Sequence, residues 1–436
     1  MAALSTGIGV GGRALRALGA GAGGFVGLGA FAALRGPHPV ASSNVVVTKR
    51  ASTLRSSPIG PRGSTMPGQM ARLNRLGGCS KLGLALVLSL SAGCSRDASG
   101  PLPNAPVTAA GSASTGATVV AGAARLGPER TFLGMCDASG AVPLDETTLL
   151  VADDEDNVLR IYDADRGGAP LRKIDVSPWL GLSGEAKAAS SPKPEKIPET
   201  DIEAATRVGD LAFWLTSHGR SSSGKFRPER LRFFATRIAA GRFEVDWVGS
   251  YDKLLADLLS EPKLARFELA RAAEHAPKEP GGLNIEGMTA RVEGGVWIGF
   301  RNPVPDGRAL LVPLLNPEKV VATGEKAEFG EPLTLALSGL GVRSLSAWRG
   351  QYLIVAGHTH SAPGSLLYTW NGREQPVRVE ALELGDLNPE GFFSPEQRDA
   401  FMLLSDDGTR QVSGQECKRL KQNDSKTFRG VWVSLR

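Results

Sequence analysis

One pattern constrains this chain more than any other. A hydrophobic run that ends in polar residues recurs five times: LLVADDED (149–156), FWLTSHGR (213–220), VWIGFRNP (296–303), LIVAGHTH (353–360) and MLLSDDGT (402–409). Each follows a short acidic or amide motif trailed by a small residue. The motifs are Asp137-Ala138-Ser139-Gly140, Asp201-Ile202-Glu203-Ala204, Asn284-Ile285-Glu286-Gly287, Val342-Arg343-Ser344-Leu345 and Asn388-Pro389-Glu390-Gly391, the fourth being the most divergent. Ser139 to Asp153, Glu203 to Ser217, Glu286 to Phe300 and Arg343 to Gly357 are each 14 residues apart, and Glu390 to Asp406 is 16. A third run comes next (VLRIYD, RLRFFAT, ALLVPLL, LLYTW, GVWVSL), and the first four repeats add a fourth (LRKIDVS, FEVDWVGS, LTLALSG, VRVEALEL). Short runs rich in Val, Ile, Leu and aromatics, bounded by Gly, Pro, Asn and Asp, read as strands.

Four antiparallel strands per repeat, with little helix between repeats, predict an all-β propeller of five or six four-stranded blades. The fifth repeat lacks a fourth strand before Arg436, and the segment around Arg130–Gly134 is placed to supply it, closing the ring and covering the sheet edge. Tyr251 to His275 breaks the pattern. Its apolar residues (Leu254, Leu255, Leu258, Leu259, Leu264, Phe267, Leu269) fall at helical spacing and predict two short helices, broken at Pro262, that pack on the propeller.

The strand order brings the polar motifs together. In an antiparallel hairpin the start of the first strand lies beside the end of the second. The acidic motifs start first strands and the polar motifs end second strands, so both face one mouth of the central channel. This predicts a ring of carboxylates from Asp137, Glu203, Glu286 and Glu390. Capping it would be Asp153, Asp154, His218, Arg220, Arg301, Asn302, His358, His360, Asp406 and Asp407. Converging carboxylates repel unless a cation or an arginine neutralises them. An oxygen-only set on a rigid ring suits a hard cation, and Asp137, Glu203, Glu286 and Glu390 are the expected Ca²⁺ ligands. His218, Arg220, Arg301, Asn302, Arg343 and His358 are the expected contacts to an anionic ligand, although the arginines are equally able to pair with the acids.

Each motif has a plainer reading. Asp153, Asp154, Asp406 and Asp407 are ordinary turn residues at strand ends, whereas Glu is an unusual one. His358-x-His360 fits an exposed loop better than a zinc site, because no Cys partner or H-E-x-x-H accompanies it. No G-x-S-x-G elbow or P-loop is present. Cys136 and Cys417 fall on the same face of neighbouring blades, either as a ring-closing disulfide or as two buried thiols.

Residues 1–93 are read as a leader. From Met70 the sequence MARLNRLGGCSKLGLALVLSLSAGC has a positive start (Arg72, Arg75, Lys81), an apolar stretch Leu82–Leu90, and the small residues Ser91-Ala92-Gly93 before Cys94. That layout resembles the lipobox of bacterial lipoproteins. It implies lipidation at Cys94, which would become the first mature residue, with Ser91 departing from the commonest pattern. An ordinary signal cleaved nearby is the alternative. Residues 1–65 fit no role and suggest a start assigned too early. Residues 94–129, poor in large side chains, read as a flexible tether, and 130–436 as the propeller domain. The leader also explains the charge. It holds ten basic residues and no acid, so the formal +5 of the chain becomes −5 for the remainder. No basic run is left to follow a phosphate backbone, and nucleic-acid binding is not expected.

The motifs DASGAV, LVADDEDNVLRIYD, DIEAATRVGD, SHGR, GGLNIEG, IGFRNP, ALLVPLLNP and GLGVRS resemble a bacterial family of unknown function related to esterase-like phytase domains. The likeness covers about Met135 to Leu384. It implies a propeller and a distant link to phosphoester or ester hydrolysis, with no catalytic residues to carry over. Ala204, where a glycine usually follows the Glu, and an insert around Gly181–Pro198 depart from the family pattern. Two functions are therefore expected in parallel. One is a metal-assisted esterase or phosphoesterase in the cell envelope, lipid-anchored on the periplasmic side and favouring the outer membrane. The other is a non-catalytic propeller of the same envelope location that binds a small anionic ligand or an envelope protein; under either reading a monomer is expected.

Overall fold

A computed structural model of the chain describes residues 124–182, 197–239, 243–380 and 382–435. The leader with Cys94, and most of the Gly181–Pro198 insert, lie outside the described residues.

The chain opens with strand β1 (Ala124–Leu133). Blade one is β2 (Gly140–Pro143), β3 (Thr148–Ala152), β4 (Val158–Asp163) and β5 (Arg172–Asp175). Blade two is β6 (Ile202–Val208), β7 (Leu211–Thr216), β8 (Phe233–Ile238) and β9 (Val245–Tyr251). Helices α1 (Leu254–Ser260) and α2 (Leu269–Ala272) follow, joined by a 3₁₀ turn at Pro262–Phe267. Blade three is β10 (Asn284–Ala290), β11 (Val296–Asn302), β12 (Ala309–Leu314) and β13 (Leu333–Leu335), with α3 (Pro317–Thr323) before its last strand. Blade four is β14 (Gly341–Trp348), β15 (Gln351–Gly357), β16 (Leu366–Trp370) and β17 (Val377–Arg378). Blade five begins with β18 (Pro389–Phe393) and β19 (Phe401–Ser405). A two-stranded hairpin of β20 (Gln411–Val412) and β21 (Gln415–Glu416) intervenes before β22 (Thr427–Leu435).

Among the described residues there are thus five four-stranded antiparallel blades, which settles the count at five. β2, β6, β10, β14 and β18 pack side by side, and β18 returns against β2 to complete the ring. The fifth blade has the order β1-β22-β19-β18, so the N-terminal strand supplies its outer edge. The pairing runs from Ala124↔Leu435 to Leu133↔Thr427. The strand begins at Ala124, six residues before position 130.

Why the runs read as continuously hydrophobic is clear from the core. A propeller blade is buried on both faces, so neither parity of a strand faces water. The core divides into five clusters, each at one blade–blade junction. Ile161 of blade one meets Trp214 and Phe234 of blade two, and Phe213 and Phe233 meet Ile298 and Phe300 of blade three. Leu311 meets Ile354, Val355 meets Phe401, and Phe132 and Phe428 meet Tyr162 of blade one. Leu254, Leu258, Leu264 and Leu269 of the helical insert join the second of these clusters, as their spacing predicts. Helix α3 was not legible in the sequence. It packs so closely on β9 that a Cβ at Gly249 would lie 2.0 Å from the Val321 carbonyl oxygen.

Candidate functional site at the channel mouth

The channel side chains are aimed by a repeated backbone irregularity. In four blades the register of the innermost hairpin slips by one residue, between Ile202 and Ala204, Ile285 and Gly287, Val342 and Ser344, and Pro389 and Gly391. The residue stepped over is Glu203, Glu286, Arg343 or Glu390. A bulge of this kind bends the strand and re-aims one side chain. The small residue after it has a separate cause. A Cβ on Gly287 would come within 2.5 Å of Val342 Cγ1, and one on Gly391 within 2.5 Å of the Ala138 carbonyl oxygen. Neighbouring innermost strands are too close for anything larger. Blade one has no such slip. There Ser139 Oγ donates to the Ile202 carbonyl (2.6 Å), and Asp137, Asp153 and Asp154 supply the acids.

The resulting mouth has two unlike walls. On one, each acid has a guanidinium. Arg301 donates to Glu286 Oε1 (2.6 Å), which also accepts from Asn284 Nδ2 (2.7 Å). Arg343 donates to Asn388 Oδ1 (2.6 Å), Glu390 Oε2 (2.9 Å) and Asp406 Oδ2 (3.1 Å). Arg230 pairs with Asp201 Oδ2 (2.8 Å) and Glu199 Oε1 (3.1 Å). On the other wall stand Asp137, Asp154 and Glu203, which have no ion pair among the described residues. Asp137 Oδ1 and Asp154 Oδ1 are buried without any hydrogen-bond partner, as is Glu286 Oε2.

The two walls touch. Carboxylate oxygens of Asp154, Asp201 and Glu203 lie within 4.8 Å of one another, as do those of Glu203, Glu286 and Glu390, and those of Asp137, Glu390 and Asp406. Burial, then repulsion from Asp406 and Asp154, pushes the Asp137 carboxyl well above the usual range. Burial followed by Asp153 and Asp201 does the same to Asp154, and burial followed by Glu286 and Asp201 to Glu203. Glu390 goes the other way. Burial raises it, but the Arg343 and Arg301 guanidinia outweigh that and hold it below its usual value. On the paired wall three guanidinia are shared among five carboxylates, whereas on the unpaired wall full ionisation is opposed by burial and repulsion with no guanidinium to offset them.

The other expected site residues are placed as follows. Arg220 Nε donates to the Ala273 carbonyl and its Nη1 to the Gly224 carbonyl, so it braces loops outside the ring. Asn302 donates to the Pro277 (2.9 Å) and Glu279 (2.7 Å) carbonyls. His358 offers its backbone, accepting from Arg301 Nε (2.8 Å), while its half-buried ring lies 5.3 Å from that of exposed His360. Asp407 leaves the ring to bind Arg429 through both oxygens, at 2.8 Å each. Asp153, pushed up to about 7 by burial and Asp156 against the pull of Arg160, accepts from the Glu155 amide. Cys136 and Cys417 are joined by a disulfide next to Asp137.

His218 is buried, and its backbone and that of Asp201 are both left-handed (φ 53° and 61°). Its Nδ1 lies 2.8 Å from the Thr216 carbonyl, to which it donates, leaving Nε2 unprotonated and without a partner. Burial pulls its pKa down to about 4, against the Thr216 carbonyl and with help from Arg232. The native state thus takes up its proton only near pH 4, while an unfolded chain takes one up near 6.5. Stability from this group is full above pH 6.5 and is lost as pH falls towards 4, by about 1.4 kcal/mol per unit. Thermal melts of wild type and His218→Gln should therefore converge between pH 6.5 and 4. A constant gap would show that His218 does not titrate this way.

Beside Ser139, Ala204, Met288, Leu345 and Phe392 lies a pocket of about 10 Å³, room for no more than about one water. Next to it, around Arg207, Thr289, Trp348 and Tyr352, is a cavity of about 540 Å³.

These features define a five-bladed propeller with a half-neutralised acidic channel mouth. The model of a family described as "Protein of unknown function (DUF3616)" matches residues 235–385. No curated protein matches the chain. Among solved structures, glutaminyl cyclase from Myxococcus xanthus is similar at 9% identity over 72% of this chain and 98% of that one, with a TM-score of 0.36. The PQQ-bound aldose sugar dehydrogenase from Streptomyces coelicolor is similar at 12% identity over 72% and 98%, also with a TM-score of 0.36. These likenesses carry nothing over to the chemistry of this channel.

Proposed function

We propose that the unpaired wall of the channel binds a divalent cation of the Ca²⁺ type and that the protein is a metal-assisted hydrolase of anionic esters. The observation that carries this reading is the set Asp137, Asp154 and Glu203, buried or half-buried, mutually repelling and without a guanidinium, beside acids that each have one. All donors are oxygens, which suits a hard cation. Glu286 and Glu390, expected from the sequence as ligands, complete the site from the paired wall. Glu286 Oε2 faces no hydrogen-bond donor and remains available.

A bound cation of this kind polarises an ester oxygen and lowers the pKa of water. Arg301 and Arg343 hold Glu286 and Glu390 in place. The phosphoester direction follows the resemblance of the motifs to esterase-like phytase domains. Export and lipid anchoring through Cys94 follow from the leader, and a disulfide at Cys136–Cys417 suits an oxidising compartment.

The test is turnover of para-nitrophenyl phosphate and para-nitrophenyl acetate in CaCl₂ and in EGTA, for wild type and Glu203→Gln. Hydrolysis of either ester that needs calcium and is lost in the variant supports the reading. Bound calcium without turnover of either would leave a calcium-dependent binding propeller.

A further inference from the structure

With Arg230, Arg301 and Arg343 committed to acids, the anion-binding role expected of the channel arginines needs another cation. The turn that leads from the helical insert into β10 carries one. Lys278 is exposed and forms no hydrogen bond or ion pair among the described residues. Its position is nonetheless fixed. The Asn302 carboxamide, 1% exposed at the end of β11, donates both hydrogens to the carbonyls on either side of it, Pro277 at 2.9 Å and Glu279 at 2.7 Å. The turn is closed by Glu279 N–H to the Ala276 carbonyl (3.0 Å) and Gly282 N–H to the Glu279 carbonyl (2.9 Å). It is tight enough that a Cβ on Gly282 would lie 2.0 Å from the Ala276 carbonyl oxygen. The chain then enters β10, where the Ile285 amide donates to the Ser217 carbonyl of blade two.

Asn302 follows Arg301 directly, so the residue that grips the Lys278 turn adjoins the one that holds Glu286. The turn is thereby held at the mouth end of β11, and the charge of Lys278 pulls the carboxyls of both Asp201 and Glu390 down. An exposed lysine held at its backbone beside an acidic mouth is suited to an oxyanion.

We propose that Lys278 is the anion-docking residue of this channel, positioned by Asn302, and that it takes a phosphoryl oxyanion of the ligand. This rests on the cation reading above for the second half of the anion site, but the two fail separately. The probe is phenylphosphonate, a non-hydrolysable phosphomonoester analogue. It is titrated calorimetrically into the full-length protein in CaCl₂ and in EGTA, with calcium binding measured in parallel.

Lys278→Gln is expected to weaken phenylphosphonate at least about tenfold, the loss of one charge-assisted hydrogen bond. Calcium stoichiometry and melting temperature should stay as in wild type. Lys278→Arg should restore most of the affinity, and Asn302→Ser should lose part of it by freeing the turn. Phenylphosphonate binding that depends on Lys278 in a protein that takes up no calcium would keep this inference and remove the cation. Equal binding by wild type and Lys278→Gln, or no binding by wild type in either buffer, would overturn it. Lys278→Gln that tightens calcium and leaves phenylphosphonate unchanged would make Lys278 a counter-charge only, and would also overturn it.

Discussion

Replacing Arg343 by methionine is expected to destabilise the protein by about 3–5 kcal/mol, the usual cost of removing one partner from a buried ion pair. Arg343 is 5% exposed and serves Asn388, Glu390 and Asp406 at once. Its loss would leave Glu390 and Asp406 beside Asp137, within 4.8 Å, with only the more distant Arg301 (4.0 Å from Glu390) to balance them. Methionine keeps most of the volume, so the effect reads the electrostatics more than a cavity. Two further results follow. The deficit should shrink as pH falls, because Glu390, held below its usual pKa mainly by Arg343, then accepts a proton at little cost. Adding Glu390→Gln to Arg343→Met should recover much of the stability, in a urea titration at pH 7. A double variant no better than the single one would show that Arg343 supports the fold through something other than these acids.

The fold was legible because blade burial writes itself into the sequence. VLRIYD coincides with β4, and LLYTW with β16, since strands buried on both faces have no polar parity to blur the run. The Glu in Asp-Ile-Glu-Ala and Asn-Ile-Glu-Gly stood out because glutamate is a poor turn former, and both lie at the bulge that turns them into the channel. What the sequence could not show was which acids find a guanidinium. Arg343 meets Glu390 across 47 residues and two blades, a pairing decided by side-chain reach rather than by the repeat. The same limit hid the tasks of Arg220 and Asn302, whose partners are carbonyls of irregular loops. Lys278 gave no signal of its own. It sits in a Pro- and Gly-rich turn, and the Asn302 contacts that hold that turn on β11 are invisible in the sequence. Helix α3 is two turns long with two β-branched valines at its centre, too short and too weak in propensity to read as helix.

The second large effect concerns the unpaired wall. Burial and mutual repulsion raise Glu203 and Asp154, so in the absence of metal their ionised forms oppose folding at neutral pH. Neutral isosteres should relieve that opposition. Glu203→Gln and Asp154→Asn are therefore expected to melt higher than wild type in EGTA. In calcium the order should reverse. Wild type at about 100 times the dissociation constant gains about 2.7 kcal/mol from binding, while the variants, short of a charged ligand, gain little. Stabilisation without metal and loss of response with it is a crossing that neither a turn-forming role nor a simple packing role produces.

The most direct measurement is calcium titration, by calorimetry and by melting temperature, of full-length wild type and Glu203→Gln after exhaustive treatment with EGTA. The account predicts stoichiometric calcium binding by wild type with a rise in melting temperature. It predicts no such rise in Glu203→Gln, which starts from the higher value. A wild type that takes up no calcium and melts at the same temperature with or without it would contradict the account.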